Sequence, residues 1–381
     1  MAETPTHTLR IKQVRCHTHQ APLLRPFVTA ARRTVAVEYV VAEVELADGV
    51  VGQGSAAETV AVTGESAATI RESISGPLRE VLEGASGTLE ELSARISGAL
   101  EGATSAKSAV DVALFDALGR STGEPLVSLL GGGSGAAGEL GSMVNDMTVS
   151  LESPKTMAIH AREAAEAGYH ILKIKLGRDI DEDRRRLEAV LDAVPHARLR
   201  LDANQGWDVA GAVSMIQGLE SAGLPVDLVE QPVAAADIAG LAEVRRNVST
   251  PIMADESIWS AADAQRIIDL EGADLLNIKL AKTGGLLEAL RIANIAEAAG
   301  LECMVGSMME PRISISAAAQ LAIAHPAVTM IDLDAPEWFT SDLPAGGFEQ
   351  RGGVLQLLGG HGLGLDILSP DQDSSADPTG N

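Results

Sequence analysis

From about residue 143 onward the chain keeps one rhythm. A short apolar run ends in polar residues, a longer segment of helical periodicity follows, and the next apolar run begins. The runs fall at residues 143–149, 171–176, 199–201, 226–229, 251–254, 275–280, 303–305 and 328–331, with helical stretches such as 181–194, 209–222 and 286–299 between them. Strands that alternate with helices dictate an α/β fold with a parallel sheet, because a right-handed crossover packs each helix back onto the sheet. Eight such units, spread over about 190 residues, predict closure into a (β/α)-barrel of the TIM type.

Residues 9–130 break that rhythm. Segments 34–46 and 50–54 form a hairpin pattern around Asp48-Gly49, and helical patterns follow at about 65–83, 88–101 and 105–121. They predict an α+β domain between an N-terminal tail at 1–8 and a barrel at 131–345. Gly131-Gly132-Gly133-Ser134-Gly135 punctuates the join; with no Lys-Ser/Thr behind it, it reads as a linker and not as a phosphate loop. A C-terminal segment at 346–368 follows the barrel, and residues 369–381, rich in Ser, Asp and Pro, read as a disordered tail.

Charge and composition narrow the function. The 29 Lys and Arg against 53 Asp and Glu give a formal net charge of −24. That field opposes binding to nucleic acid or to an acidic membrane surface, so an acidic substrate requires local cations or a metal. The longest uncharged run, 313–331, is interrupted by polar side chains and by Pro326, which makes it a buried helix and strand and not a membrane span. Cys16 and Cys303 suggest neither a disulfide framework nor a thiolate metal site. Residues 1–20 carry no leader pattern, and a reducing cytoplasm is the expected location.

In a barrel of this kind the functional groups sit at the C-terminal ends of the strands. Strand two ends Lys173-Ile174-Lys175, strand three Asp202-Ala203-Asn204, strand four Glu230-Gln231-Pro232 and strand five Asp255-Glu256-Ser257; strand six carries Asn277-Ile278-Lys279. Asp202, Glu230 and Asp255 lie 28 and 25 residues apart, one strand–helix unit each time. Their carboxylates therefore converge from adjacent strands, and clustered carboxylates repel unless a cation lies between them. Hard oxygen donors without His or Cys favour Mg²⁺, with Mn²⁺ as a substitute. Taken singly, each acid could instead cap the following helix, Asp255-Glu256-Ser257 above all.

Lys173 and Lys175 are two apart on one strand and share a face. Lys-x-Lys alone could be a solvated edge strand. Inside a barrel, beside those acids, buried lysines are too costly to lack a function. Strands two and six stand opposite each other in an eight-stranded barrel, so Lys279 faces the pair across the metal. Burial, a neighbouring cation and a metal ion each lower a lysine pKa, which predicts amines near the neutral form of a general base.

Together, Lys173-Ile174-Lys175, the Asp202/Glu230/Asp255 series and Lys279 resemble the enolase superfamily, muconate-lactonizing-enzyme subgroup, over roughly residues 9–365. The resemblance implies an enolase-like modified TIM barrel. Its α+β domain would act as a cap, rejoined by the segment 346–368, with loops near residues 23–33 and 52–58 closing over the mouth. It also implies proton abstraction beside a carboxylate held by Mg²⁺, with Lys175 or Lys279 as base and Lys173 helping the metal to stabilise an enediolate.

Within that subgroup the chain is most similar to the dipeptide epimerases, of the L-Ala-D/L-Glu type. Asp332 and Asp334, in Met330-Ile331-Asp332-Leu333-Asp334, resemble the clamp those enzymes use for the substrate's α-ammonium group. Thr148 and the stretch Ser307-Met308-Met309 match positions that line their substrate, although Pro311 stands where the family has Ser. Pro26-Phe27 followed by Arg32-Arg33-Thr34-Val35 resembles a loop whose arginine holds a glutamate side chain. The loop is one residue longer here, so Arg32 or Arg33 could fill that role. The implied substrate is a dipeptide and the implied assembly a homo-oligomer. A muconate-type cycloisomerase, an o-succinylbenzoate synthase or an N-acylamino-acid racemase would use the same machinery but needs no ammonium clamp. A non-catalytic barrel that binds a metal or an anion would have no use for bases on both faces.

Overall fold

The computed structural model describes residues 7–30, 32–132, 140–177, 179–341 and 343–372. Gly133-Ser134-Gly135, the tail at 1–6 and the tail from 373 onward lie outside the described residues.

An antiparallel meander opens the chain: β1 (Leu9–Val28), β2 (Arg33–Leu46) and β3 (Val51–Ala57), with β4 (Ser86–Gly87) on the other edge of β1. The 20-residue β1 was not anticipated from the sequence. It is half polar, because one of its faces stays open while Leu9, Ile11 and Val14 are buried. The helix Thr104–Thr122 covers this sheet and is buried from Ser105 to Gly119. It approaches β3 at backbone contact, since any side chain at Gly52 or Gly54 would collide with the backbone of Ala113 or Ala109. The expected mouth loop at 52–58 is therefore corrected. Residues 51–57 are strand, and the chain leaves the sheet only after Ala57. The helical pattern at 65–83 is interrupted by a wider turn, Ile74–Leu78, which holds Pro77.

The first apolar run, 143–149, is two elements. After β5 (Ser142–Val144), Asn145 donates its N–H to Gly353 O, and β6 (Met147–Val149) begins the barrel. Then follow β7 (Ile171–Lys175), β8 (Arg198–Asp202), β9 (Val226–Glu230), β10 (Ile252–Ala254), β11 (Leu275–Lys279), β12 (Glu302–Gly306) and β13 (Val328–Asp332). These eight form one parallel sheet in chain order. Its ends meet where Asn145 bridges Ile331 and where Leu333 N–H donates to Asn145 Oδ1 at 2.9 Å.

β5 pairs with β15 (Val354–Leu357), which pairs with β14 (Phe348–Arg351), outside the barrel sheet. The chain then returns to the first domain. Leu126 N–H donates to Gly362 O at 2.8 Å, Arg120 Nη2 to Leu365 O at 2.7 Å and Gln53 Nε2 to Leu368 O at 2.7 Å. Among the described residues no helix is long and apolar enough to cross a membrane.

Candidate active site

Strand register sets the site. Lys175 pairs across to Asp202, and Asp202 to Glu230, so three charged groups leave adjacent strands at one level. On the far side Lys279 pairs to Gly306, and Gly306 to Asp332. Asp255 follows directly on β10. The helices after β8, β9 and β10 are capped by Asp208, Asp237 and Ser260. Asp202, Glu230 and Asp255 are thus not used as caps, and all three are buried. Backbone strain gathers at the same strand ends: Asn204, Gln205 and Gln231 have φ of 44°, 65° and 36°.

Four lysines neutralise these acids, Lys282 among them through Asp255. Lys175 Nζ lies 2.6 Å from Asp202 Oδ2 and Lys279 Nζ 2.7 Å from Asp255 Oδ2. Lys173 Nζ reaches Asp332 Oδ2 at 2.6 Å and Glu230 Oε2 at 2.6 Å, the latter as an ion contact without hydrogen-bond geometry. Burial alone would depress Lys173 and Lys279, but Asp332 and Glu230 outweigh it at Lys173, and Asp255 at Lys279, so both are held above the ordinary lysine range. This corrects the expected direction for those two lysines: the surrounding acids dominate over burial and over the neighbouring cation. Burial would raise Asp202 and Asp255 as well, yet Lys175 lowers the first and Lys279 with Lys282 the second. Glu230 escapes that compensation, and burial with the nearby Asp202 pushes it up to about 7.

As they stand, the described residues do not gather three acidic, imidazole or thiol groups into a ready-made metal cage, because lysine ammoniums sit between the carboxylates. The donor set nevertheless suits a hard divalent cation. Its three carboxylates are buried and mutually repulsive, with Glu230 Oε2 lacking any hydrogen bond. Asp202, Glu230 and Asp255 are the residues that could hold it.

A cavity of about 280 Å³ opens beside these groups. Its walls include Thr148, Lys175, Lys279, Ser307, Met309, Asp332 and Asp334, as well as Arg32 from the connection between β1 and β2. Lys173 lies beneath, with no exposed surface. Arg33 is exposed at the start of β2 and is not part of the lining. Arg32 is partly buried, and burial lowers its pKa. Asp334 Oδ2 accepts from Thr148 N–H at 2.7 Å and from Trp338 Nε1 at 3.1 Å. Burial and Asp332 raise the Asp334 carboxyl, whereas at Asp332 the lysines, Lys173 first, outweigh burial and lower it.

Sequence reading did not single out Trp259, Val62 or Glu256, all on the cavity wall. Glu256 is raised to about 7 by burial and by Asp255. It stands in the quoted Asp255-Glu256-Ser257 motif, so its position was available as a signal. Val62 lies in the turn after β3 and carries no motif.

A parallel barrel with acids on three consecutive strand ends and lysines on opposed walls is an arrangement suited to acid–base chemistry on a ligand between them. Residues 156–372 match the enolase C-terminal domain-like family, and residues 12–131 match the mandelate racemase/muconate lactonizing enzyme N-terminal domain. The chain belongs to the mandelate racemase/muconate lactonizing enzyme family of the enolase superfamily. It is 39% identical over 350 residues to an L-Ala-D/L-Glu epimerase of Clostridium acetobutylicum, covering 91% of this chain and 96% of that one. The substrate-liganded structure of the L-Ala-D/L-Glu epimerase from Bacillus subtilis superposes with a TM-score of 0.89 at 39% identity, over 93% of this chain and 98% of the other. The dipeptide epimerase of Enterococcus faecalis, complexed with Mg and the dipeptide L-Leu-L-Tyr, does so with 0.85 at 35% identity, over 94% and 100%.

Proposed function

We propose that this protein is a Mg²⁺-dependent dipeptide epimerase that inverts the α-carbon of the C-terminal residue by 1,1-proton transfer. The observation that carries it is the pair Lys175 and Lys279, which line one cavity from opposite walls. A proton removed on one face and returned on the other requires a carrier on each. The relatives named above, epimerases of L-Ala-D/L-Glu and of other dipeptides, support the substrate class.

Asp202, Glu230 and Asp255 would hold the metal, which supplies positive charge for the substrate carboxylate. Mn²⁺, also accepted by oxygen donors, should substitute. The lysine that takes the α-proton at Nζ must first give up its own, which Asp255 opposes at Lys279 and would oppose less once its carboxylate is drawn away to the metal; the ammonium of the opposite lysine gives its Nζ proton to the other face. Lys173, held cationic by Asp332 and Glu230, stabilises negative charge as it moves from the α-carbon onto the carboxylate. Asp332 and Asp334 fix the substrate ammonium, and their absence of counterpart need in an N-acylated substrate favours a free dipeptide. Arg32 on the cap side suits an anionic side chain, which makes an Ala-Glu type of dipeptide the favoured substrate. Free Cys16 and Cys303 support a reducing cytoplasm, and the family resemblance supports a homo-oligomer.

The test is a dipeptide library incubated with the enzyme and Mg²⁺ in D₂O, read by mass spectrometry for α-deuteration. Free dipeptides should gain one deuterium; equal or better labelling of N-acetylated ones would overturn the dipeptide reading. Asp202→Asn should abolish the exchange and leave the fold intact.

A further inference from the structure

Glu230 and Asp255 are each gripped by one oxygen from the same short stretch of chain. Lys282, in the turn Leu280–Thr283 that follows β11, has no exposed surface. Its ammonium donates to Asp255 Oδ1 and to the Asp255 carbonyl, and at 3.3 Å to the carbonyl of Asn277. Asn277, on β11, donates from Nδ2 to Glu230 Oε1 at 2.9 Å. The other two oxygens, Asp255 Oδ2 and Glu230 Oε2, face Lys279 and Lys173 at 2.7 and 2.6 Å. An ammonium wholly removed from water is tolerated only against partners of this kind. Neither Lys282 nor Asn277 lines the cavity, so neither touches substrate.

We propose that Lys282 and Asn277 are positioning residues that restrict Asp255 and Glu230 to one ligating oxygen each, and thereby select Mg²⁺ against Ca²⁺. This rests on the metal reading given above. Mg²⁺ demands six ligands at about 2.0–2.1 Å in a near-ideal octahedron, which single carboxylate oxygens satisfy. Ca²⁺ takes six to eight at about 2.3–2.6 Å and readily accepts both oxygens of a carboxylate. Releasing the second oxygen hands the larger ion an extra ligand and gives the smaller one little. Loss of the Lys282 charge also changes the local field, but both ions are divalent, so the ratio of their affinities largely cancels that change.

The experiment uses the full chain as wild type, Lys282→Met and Asn277→Ala. Binding of Mg²⁺ and of Ca²⁺, each alone and without substrate, is measured by titration calorimetry on chelator-treated protein. The wild type should prefer Mg²⁺. Each variant should shift the Ca²⁺/Mg²⁺ affinity ratio toward Ca²⁺ by about tenfold or more, the scale on which groups behind metal ligands act. A wild type without that preference, or a ratio unchanged in both variants, overturns the proposal. Should Lys282→Met fail to fold by circular dichroism, Asn277→Ala, which deletes one neutral side chain, decides alone. A wild type that binds neither ion would instead overturn the metal reading itself.

Discussion

Lys175 and Lys279 enter one cavity from β7 and β11, strands separated by three others either way round the barrel, and each ammonium rests on a different carboxylate. Lys175 is tied to Asp202 at 2.6 Å and Lys279 to Asp255 at 2.7 Å. Opposed carriers should fail in complementary ways. Lys175→Ala should lose α-proton exchange from one epimer and keep some from the other, with Lys279→Ala showing the reverse. The lost direction should fall by about 10²–10⁴, the usual contribution of a general acid or base. Lys173→Ala should depress both. Exchange in D₂O from each pure epimer is the measurement; equal residual exchange in both single variants would contradict two bases.

Asp332 and Asp334 hold different partners, Lys173 for the first and the Thr148 N–H with the Trp338 indole for the second. Asp332→Ala should lower kcat/KM for free dipeptides by at least about ten- to hundredfold, the worth of a charged hydrogen bond, and it also takes from the buried Lys173 ammonium a partner at 2.6 Å. Asp334→Ala strips the buried Thr148 N–H and the Trp338 indole of their acceptor. It should also lose about 1–3 kcal/mol of stability. Urea unfolding measures the stability part, and an Asp334→Ala protein as stable as wild type would remove its anchoring role.

Arg32 and Arg33 offer a sharper contrast than their adjacency suggests. Only Arg32 is on the cavity wall. Arg32→Ala should raise KM for dipeptides ending in glutamate about tenfold or more, equivalent to about 1.4 kcal/mol. Arg33→Ala should leave it near wild type. Steady-state kinetics with an Ala-Glu dipeptide decide the matter; a larger effect at Arg33 would reverse the assignment.

Much of this was legible because chemistry and strand period coincide. The spacing of Asp202, Glu230 and Asp255 reports the strand–helix repeat directly, and the parity of Lys173 and Lys175 reports a shared face. What stayed hidden lacked a period. β1 alternates over too polar a surface, and although the hairpin pattern reached 50–54, the run of β3 on to Ala57 carries no signal until the helix Thr104–Thr122 is seen lying against Gly52 and Gly54. Lys282 sits three residues beyond Lys279 in a tight turn, and only the fold brings its ammonium back to Asp255.

The seam between the two domains should titrate. Asp111, on the helix Thr104–Thr122, accepts from Leu286 N–H at 2.7 Å and from Ser93, and burial pushes its carboxyl up to about 6. A carboxyl raised in the folded state lends its full stability below its unfolded value, near 3.9, and loses it as pH rises through about 6. Relative to Asp111→Asn, the wild type should therefore lose roughly 2 kcal/mol between pH 4 and pH 7. Urea midpoints at several pH values would show it. A parallel pair of profiles would mean that Asp111 titrates normally.

β3 rests on the helix Thr104–Thr122 without side chains between them, and the turn carrying Ala61 and Val62 springs from the end of that strand. The first domain therefore presents its cavity-lining residues from a fixed mount, while the lysines proposed to carry the proton, with their acids, hang from the barrel. On the proposed function, substitutions at Phe27, Thr29, Arg32 or Val62, which line the cavity, should alter which side chain is welcomed and leave the proposed reaction centre untouched. A lineage built this way can change its diet of substrates one surface residue at a time, with the inherited chemistry carried along unaltered.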